Sequence, residues 1–192
     1  MKTALKIFAQ WIAVFIMLPF TLLFFLLGFA AGKDEAISTL SQLLSLLPGK
    51  VGSYLRAGFY RFALKKCDPS AVIGFGTIFS QADTEIESGV YIGPQCNIGL
   101  CSIGTDTLLG SGVHIMSGKG QHNFDNPNVA IKDQGGEFEK ISIGDNCWLG
   151  NGSLIMASIE KRCVIAAGAV VTSKTVSNTI VGGNPAKKIK DI

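Results

Sequence analysis

The chain has 192 residues, which is enough for one domain with a sizeable core and an appendage. Its 23 glycines are spread along the chain, which indicates many turns rather than one flexible linker. The formal net charge of +3 comes without a stripe of basic and aromatic residues, so a nucleic-acid partner is not supported. The five cysteines lack paired spacing, which argues against a disulfide scaffold or a zinc site and favours small buried residues in a reducing compartment.

The first segment of the chain is strongly apolar. Residues 7–31 carry no charge, and roughly 20 apolar residues suffice to span a bilayer core, so residues 1–33 are predicted to be a membrane anchor. Pro19 lies near the middle and leaves open a re-entrant hairpin that enters and leaves on one side. A cleaved signal peptide is a less favoured alternative, because the apolar run is long. The cationic residues between 50 and 66 favour the cytoplasmic side of the inner membrane for the domain that follows.

Residues 34–68 are predicted to form two short amphipathic helices, Ala36 to Leu47 and Val51 to Lys66. The second has an aromatic side, and its basic residues, Arg56 among them, are predicted to lean away from that side. An aromatic face with a basic flank suits the bilayer interface, which predicts contact with membrane lipid through residues 1–66. The same helix could instead cap the open end of a repeat structure, and both interpretations stay open.

From Val72 onward, an aliphatic residue recurs about every sixth position, most clearly between Ile143 and Pro185. This period matches neither an α-helix, at about 3.6 residues, nor a strand, at about 2. It is the signature of a parallel β-helix built from hexapeptides, in which the aliphatic residue fills the lumen and small residues fit the corners. Residues 69–192 are therefore predicted to form a mainly β domain. Four cysteines fall at corner or lumen positions of the repeat: Cys96, Cys101, Cys147 and Cys163.

The six-residue rhythm stops after Ile115 and resumes in the same register at Ile141. The intervening residues 117–140 are polar, contain four glycines and carry His122. They are predicted to be a loop extruded from the β-helix rather than an end to it. Long loops in compact domains are usually functional or disordered, and the regular coils on both sides favour function.

Residues 72–190 resemble the hexapeptide-repeat acyltransferases, on the repeats of residues 143–185, the closing Gly183-Asn184-Pro185-Ala186-Lys187 and the histidine loop. The resemblance implies a left-handed parallel β-helix, acetyl-CoA as co-substrate, and a homotrimer with active sites at the subunit interfaces. The apolar N-terminal region resembles a membrane-associated branch whose members act on cell-surface glycans. It implies transfer of an acetyl group to a sugar hydroxyl of a surface polysaccharide or a lipid-linked glycan precursor, so the acceptor would be a saccharide.

The family implies one essential histidine on the extended loop, and His122 is the candidate. A neutral imidazole can take the proton of a sugar hydroxyl while the oxygen attacks a thioester carbonyl. Asp125 is a candidate to hold the ring in the correct tautomer. His114, next to the lumen residue Ile115, is the competing histidine and is interpreted as structural or as lining the cleft.

The resemblance also implies a donor site along one edge of the β-helix. Trp148 matches the aromatic residue beside the thioester arm, and Asn151 and Ala167 match positions that contact pantetheine. The shortened turn Ala157-Ser158 departs from the family pattern and predicts a tighter corner near the donor. The candidates for the adenine and phosphate groups are Thr172, Ser173 and Lys187.

Two other functions are compatible with the fold alone. A non-enzymatic β-helix scaffold at the membrane would need neither the histidine loop nor the Gly-Asn-Pro-Ala-Lys ending. A metalloenzyme of the carbonic anhydrase type would need three histidines for each zinc site, whereas the chain contains two. No metal is therefore expected.

Overall fold

The computed structural model of the chain describes residues 2–192. Three helices come first: α1 (Lys2–Ala31), α2 (Lys33–Ser45) and α3 (Gly49–Ala63). The strands that follow are, in chain order, β1 (Lys66–Cys67), β2 (Val72–Ile73), β3 (Ile78–Phe79), β4 (Glu85–Ile86), β5 (Tyr91–Ile92), β6 (Asn97–Ile98), β7 (Cys101–Ile103), β8 (Leu108–Leu109), β9 (His114–Ile115), β10 (Ile141–Ile143), β11 (Trp148–Leu149), β12 (Leu154–Ile155), β13 (Val164–Ile165), β14 (Val170–Val171), β15 (Thr179–Gly183) and β16 (Ala186–Asp191). A short 3₁₀ helix covers Ile131–Asp133.

The strands stack into three sheets, which are the three faces of a left-handed parallel β-helix. Sheet A is ordered β1-β4-β7-β10, and sheet C is ordered β14-β12-β9-β6-β3. Sheet B is ordered β16-β15-β13-β11-β8-β5-β2, where only β16 runs antiparallel to its neighbour. The predicted fold class is confirmed.

The hexapeptide period explains the core. In the two-residue strands the first side chain points outward and the second is buried in the lumen, as for Tyr91 and Ile92. The β-helix begins earlier than predicted, because β1 pairs with β4 and places Cys67 in register with Ile86. A cysteine in the lumen hid this coil from the aliphatic pattern.

Small residues at the corners permit close stacking of successive coils. A Cβ atom on Gly150 would lie 2.5 Å from the backbone nitrogen of Ala167 in the next coil. No side chain fits there without moving the backbone. The shortened turn at Ala157-Ser158 keeps the stacking, since the Ile159 N–H donates to the Ser142 carbonyl at 2.8 Å.

Helices α2 and α3 close the N-terminal end of the β-helix, and Phe59 and Tyr60 of α3 are completely buried in the core. The expectation that Arg56 leans away from this packed side is wrong, because its side chain is completely buried. Its guanidinium donates to the carbonyls of Ile73 at 2.9 and 3.1 Å and of Leu47 at 2.6 Å. β2 is the last strand of sheet B, so Ile73 has no strand beneath it to supply these donors.

Helix α1 is continuous through Pro19 and lies along α3. Phe24 and Phe59 pack edge-to-face with ring centroids 6.1 Å apart, and a Cβ on Gly58 would lie 3.0 Å from the Ala13 backbone. Among the described residues, α1 is the one helix long and apolar enough to cross a membrane. Its far side is exposed and apolar, with residues such as Phe8, Phe15, Leu22 and Phe29.

The five cysteines are all free and buried. Burial raises the pKa of the Cys67 and Cys101 thiols to about 12. They are therefore protonated at neutral pH and poor nucleophiles, as expected for residues that serve as packing.

Candidate active site

The histidine loop leaves the β-helix after β9 and returns at β10, where Ile141 resumes the register beside Cys101. The two limbs of the loop are joined by backbone hydrogen bonds. Glu137 donates to Gly120 at 2.7 Å, and Asn123 donates to Gly135 at 2.9 Å. The predicted extrusion of residues 117–140 is thus an ordered excursion that leaves the stacking of the coils intact.

The tip of the loop is organised by Gln134. Its side-chain amide donates to the carbonyls of Asn126 at 2.9 Å and Val129 at 2.8 Å, and its carbonyl accepts from the Asn126 N–H at 3.1 Å. The base of the loop is fixed by Lys140, whose ammonium lies 2.6 Å from Glu85 of β4 and 3.1 Å from Asp83 in the turn before it. These contacts fix the loop at its tip and at its base.

His122 is exposed near the middle of one limb, and no hydrogen-bond partner of its ring is found within residues 2–192. Directly across the loop, a Cβ atom added to Gly136 would lie 2.7 Å from the backbone nitrogen of His122. The close approach of the two limbs therefore fixes the backbone that carries the imidazole. Asp125 is also exposed, and in the part of the chain that the structure describes it does not bond to His122.

His114 lies elsewhere. It is the outward residue of β9, between Asn97 and Leu154 on the outer face of sheet C. Its neighbour Ile115 is buried in the lumen, as predicted.

The residues predicted to bind the donor lie at three separate locations on the β-helix. Asn151 and Ala167 stack on successive coils at the corner between sheets B and C, where the Gly168 N–H donates to the Asn151 carbonyl at 2.9 Å. Thr172 and Ser173 follow β14, at the other side of sheet C. The expectation of one common edge is corrected, because the six residues from Ala167 to Thr172 make up one hexapeptide and hence span one whole face.

The third location of predicted donor-site residues is the outer face of sheet B. Trp148 is the outward residue of β11 and is 55 % exposed. Lys187 lies on β16, opposite Gly182 of β15, and is exposed. A pocket of about 130 Å³ near the end of the β-helix is lined by Ser173 together with Lys174 and Lys188.

Apart from Trp148, a row of outward residues on sheet B was not predicted from the sequence. Val72, Tyr91, Leu108 and Trp148 stand in register on neighbouring strands, and all four are partly exposed. The signal was present, since each is the residue before a lumen aliphatic. The ion pairs of Lys140 were also missed, because its partners lie more than 50 residues away in the sequence.

No group of three His, Cys, Asp or Glu side chains that could hold a metal ion is found within residues 2–192. The arrangement instead offers an exposed imidazole on a fixed loop, and a β-helix surface with an exposed indole and backbone groups at its corners. An imidazole can accept a proton, and an indole can pack against an apolar arm.

Several known proteins with similar sequences are acetyltransferases by name. The profile described as "Hexapeptide repeat of succinyl-transferase" matches residues 140–173. WbbJ of Escherichia coli K12, whose name assigns it to lipopolysaccharide biosynthesis O-acetyl transfer, is 31 % identical over 124 residues, covering 61 % of this chain and 62 % of WbbJ. A Saccharomyces cerevisiae protein named as an acetyltransferase is 36 % identical over 112 residues, which cover 55 % of this chain and 57 % of the yeast protein. The chain spans less than two thirds of these relatives.

Solved structures share the fold. A maltose O-acetyltransferase from Clostridium difficile 630 superposes with a TM-score of 0.68 at 21 % identity, covering 83 % of this chain and 86 % of that one. A hexapeptide-repeat acetyltransferase from Vibrio cholerae, crystallised with acetyl coenzyme A, gives a TM-score of 0.59 at 19 % identity, covering 84 % and 90 %. The chain therefore shares the β-helix fold of these structures, and its repeat resembles that of the hexapeptide-repeat acyltransferases.

Proposed function

We propose that the protein is an acetyl-CoA-dependent O-acetyltransferase that acts on a sugar hydroxyl of a membrane-associated glycan. The observation that carries the proposal is the ordered loop of residues 117–140, which interrupts an otherwise regular β-helix and presents the exposed His122. The names of the relatives support acetyl transfer, and the name of WbbJ supports a cell-surface glycan as the class of acceptor.

In the proposed reaction, the His122 imidazole takes the proton of the acceptor hydroxyl as its oxygen attacks the thioester carbonyl carbon. The tetrahedral intermediate then expels the CoA thiolate, which regains the proton from the imidazolium. The products are an acetyl ester and free CoA, so protons and electrons balance. Asp125, on the same loop, remains the candidate to orient the ring in the substrate complex.

The donor would lie with its thioester arm beside Trp148 and its pantetheine amides at the corner of Asn151 and Ala167. Thr172, Ser173 and Lys187 remain the candidates for the adenine and phosphate groups. A homotrimer would complete each site with a neighbour's loop. The exposed apolar residues Phe124 and Phe138 on that loop support this, because a neighbouring subunit would cover them.

Replacement of Trp148 by alanine is expected to weaken acetyl-CoA binding about tenfold, on the order of 1.4 kcal/mol, because the thioester arm loses its aromatic contact. Isothermal titration of the purified protein with acetyl-CoA measures this. The control is Trp11→Ala, which removes the other tryptophan from α1 and should leave the affinity unchanged. Equal affinity of Trp148→Ala and wild type would contradict this placement of the donor.

Membrane association is the second part of the proposal, and the packing of α1 favours a helix that lies in the membrane surface rather than across it. Gln10 donates to the Pro69 carbonyl at 2.5 Å, and Phe24 packs on Phe59. The 14 steps from residue 10 to residue 24 measure about 21 Å along a helix. A helix attached to the cap over this length could not cross a bilayer core about 30 Å thick while the cap stays in water. Its exposed apolar side would instead lie in the lipid.

Residues 6 and 161 are therefore expected to lie on the same side of the membrane, the cytoplasmic side. Single cysteines introduced as Lys6→Cys or Lys161→Cys can be labelled with a membrane-impermeant maleimide in intact spheroplasts and in inverted inner-membrane vesicles. The native cysteines are buried and should stay unlabelled. Labelling of both positions only in inverted vesicles is expected, whereas labelling of residue 6 in spheroplasts would show that α1 crosses the membrane.

A further inference from the structure

A cleft of about 590 Å³ lies between α1, α3 and the outer face of the first coils. None of residues 117–140 lines it, so it is separate from the histidine loop of the same chain. Lys6 of α1 and Lys50 of α3 are exposed in its lining, and Ser53 and Ser70 add hydroxyl groups. This combination of cations and hydroxyl donors is suited to an anion.

The charge of the cleft is not compensated. Its lining contains no carboxylate, and within residues 2–192 neither Lys6 nor Lys50 takes part in an ion pair. Arg56 also lines the cleft, and its hydrogen bonds go to carbonyl oxygens alone. The nearby Asp68 accepts from the N–H and hydroxyl of Ser70, at 2.8 and 2.5 Å. Three cations without a carboxylate in a partly desolvated cleft create a local positive potential.

The rest of the lining is apolar. Val72, Phe75 and Tyr91 present exposed side chains on the β-helix side of the cleft. A ligand that contacts both the cations and the apolar lining of the cleft needs an anionic group and an apolar chain.

We infer that this cleft binds a lipid phosphate, with the phosphate at Lys6 and Lys50 and the apolar chain against Val72 and Phe75. The inference rests on the proposed membrane location for its source of ligand, and it names the phosphate-bearing lipid carrier of the glycan as the class of acceptor. Tyr91 stands two strands from Trp148, about 10 Å at the spacing of neighbouring strands. A head group held in the cleft therefore extends along sheet B toward the proposed donor site.

Direct binding tests the inference without any transferase assay, so its failure and failure of the proposed acetyl transfer are distinguishable. The probe is dihexanoyl phosphatidic acid below its micellar concentration, titrated into the full-length protein. We expect saturable 1:1 binding that weakens at least tenfold in Lys6→Gln/Lys50→Gln. The matched control Lys161→Gln/Lys190→Gln removes the same charge from exposed lysines elsewhere, and it should bind like wild type.

Three further arms decide the nature of the ligand. Ser53→Phe, which fills the cleft without changing its charge, is expected to abolish binding while the thermal midpoint stays near that of the wild type. Inorganic phosphate and dihexanoylglycerol, which each carry half of the ligand chemistry, should bind at least tenfold more weakly than the lipid phosphate. Equal binding of either half-ligand, equal effects of the two double variants, or no binding by wild type would overturn the inference.

Discussion

His122→Ala is expected to lower the rate of acetyl transfer by about 10²–10⁴-fold, the usual contribution of a positioned general base. The fold should be unaffected, because the His122 side chain is exposed and no hydrogen-bond partner of its ring is found within the described residues. The rate is measured as release of free CoA in the presence of a glycan acceptor. Thermal unfolding and acetyl-CoA affinity, measured in parallel, should match those of the wild type.

His114→Ala is the matched control for this prediction. It removes the only other histidine of the chain, from the outer face of sheet C and outside the loop. We expect it to retain most of the activity. A His122→Ala protein with near wild-type rates, or a larger loss in His114→Ala, would show that the base has been assigned to the wrong residue.

Arg56→Met is expected to cause the largest loss of stability. The guanidinium is the donor to the buried carbonyl of Ile73 and the partly buried carbonyl of Leu47, and the substitution leaves both groups without it. An unsatisfied buried group costs about 1–3 kcal/mol, so the free energy of unfolding should fall by about 2–6 kcal/mol. The midpoint of urea unfolding, measured in one detergent for all variants, reports the change.

Arg61→Met is the control on the same helix. Arg61 contacts the Trp11 ring with its guanidinium 4.7 Å from the ring centroid, an interaction worth about 0.5–1 kcal/mol at exposed sites. Its effect should therefore be several times smaller. Equal unfolding midpoints for the two variants would mean that Arg56 does not cap the edge of sheet B.

The β-helix could be predicted from the sequence because each lumen residue recurs with the period of one face. This holds from Ile73 to Val181, where the aliphatic residues of the repeat are buried. It fails at β1, where Cys67 takes the lumen place of an aliphatic residue. The ordered loop was located by the break in the same period, although the hydrogen bonds that shape it were not.

The sequence-based predictions that the structure corrects failed for physical reasons. Arg56 was assigned to a solvated side because charged residues are seldom buried, yet the last strand of a parallel sheet presents carbonyls that need donors. Thr172 was assigned to the edge of Asn151, although one hexapeptide carries the chain across a full face. The cleft between α1 and α3 joins residues 6 to 94 and has no local signal in the sequence.

Transfer of radiolabelled acetyl from acetyl-CoA to membrane glycans, followed by mild alkali, is the most direct test of the proposed activity. Wild-type protein incubated with membranes of the source organism should label the glycolipid fraction, and mild alkali should release the label because the product is an ester. The His122→Ala protein should leave that fraction unlabelled. Absence of label with the wild-type protein, or label that resists alkali as an amide would, would contradict O-acetyl transfer to a sugar hydroxyl.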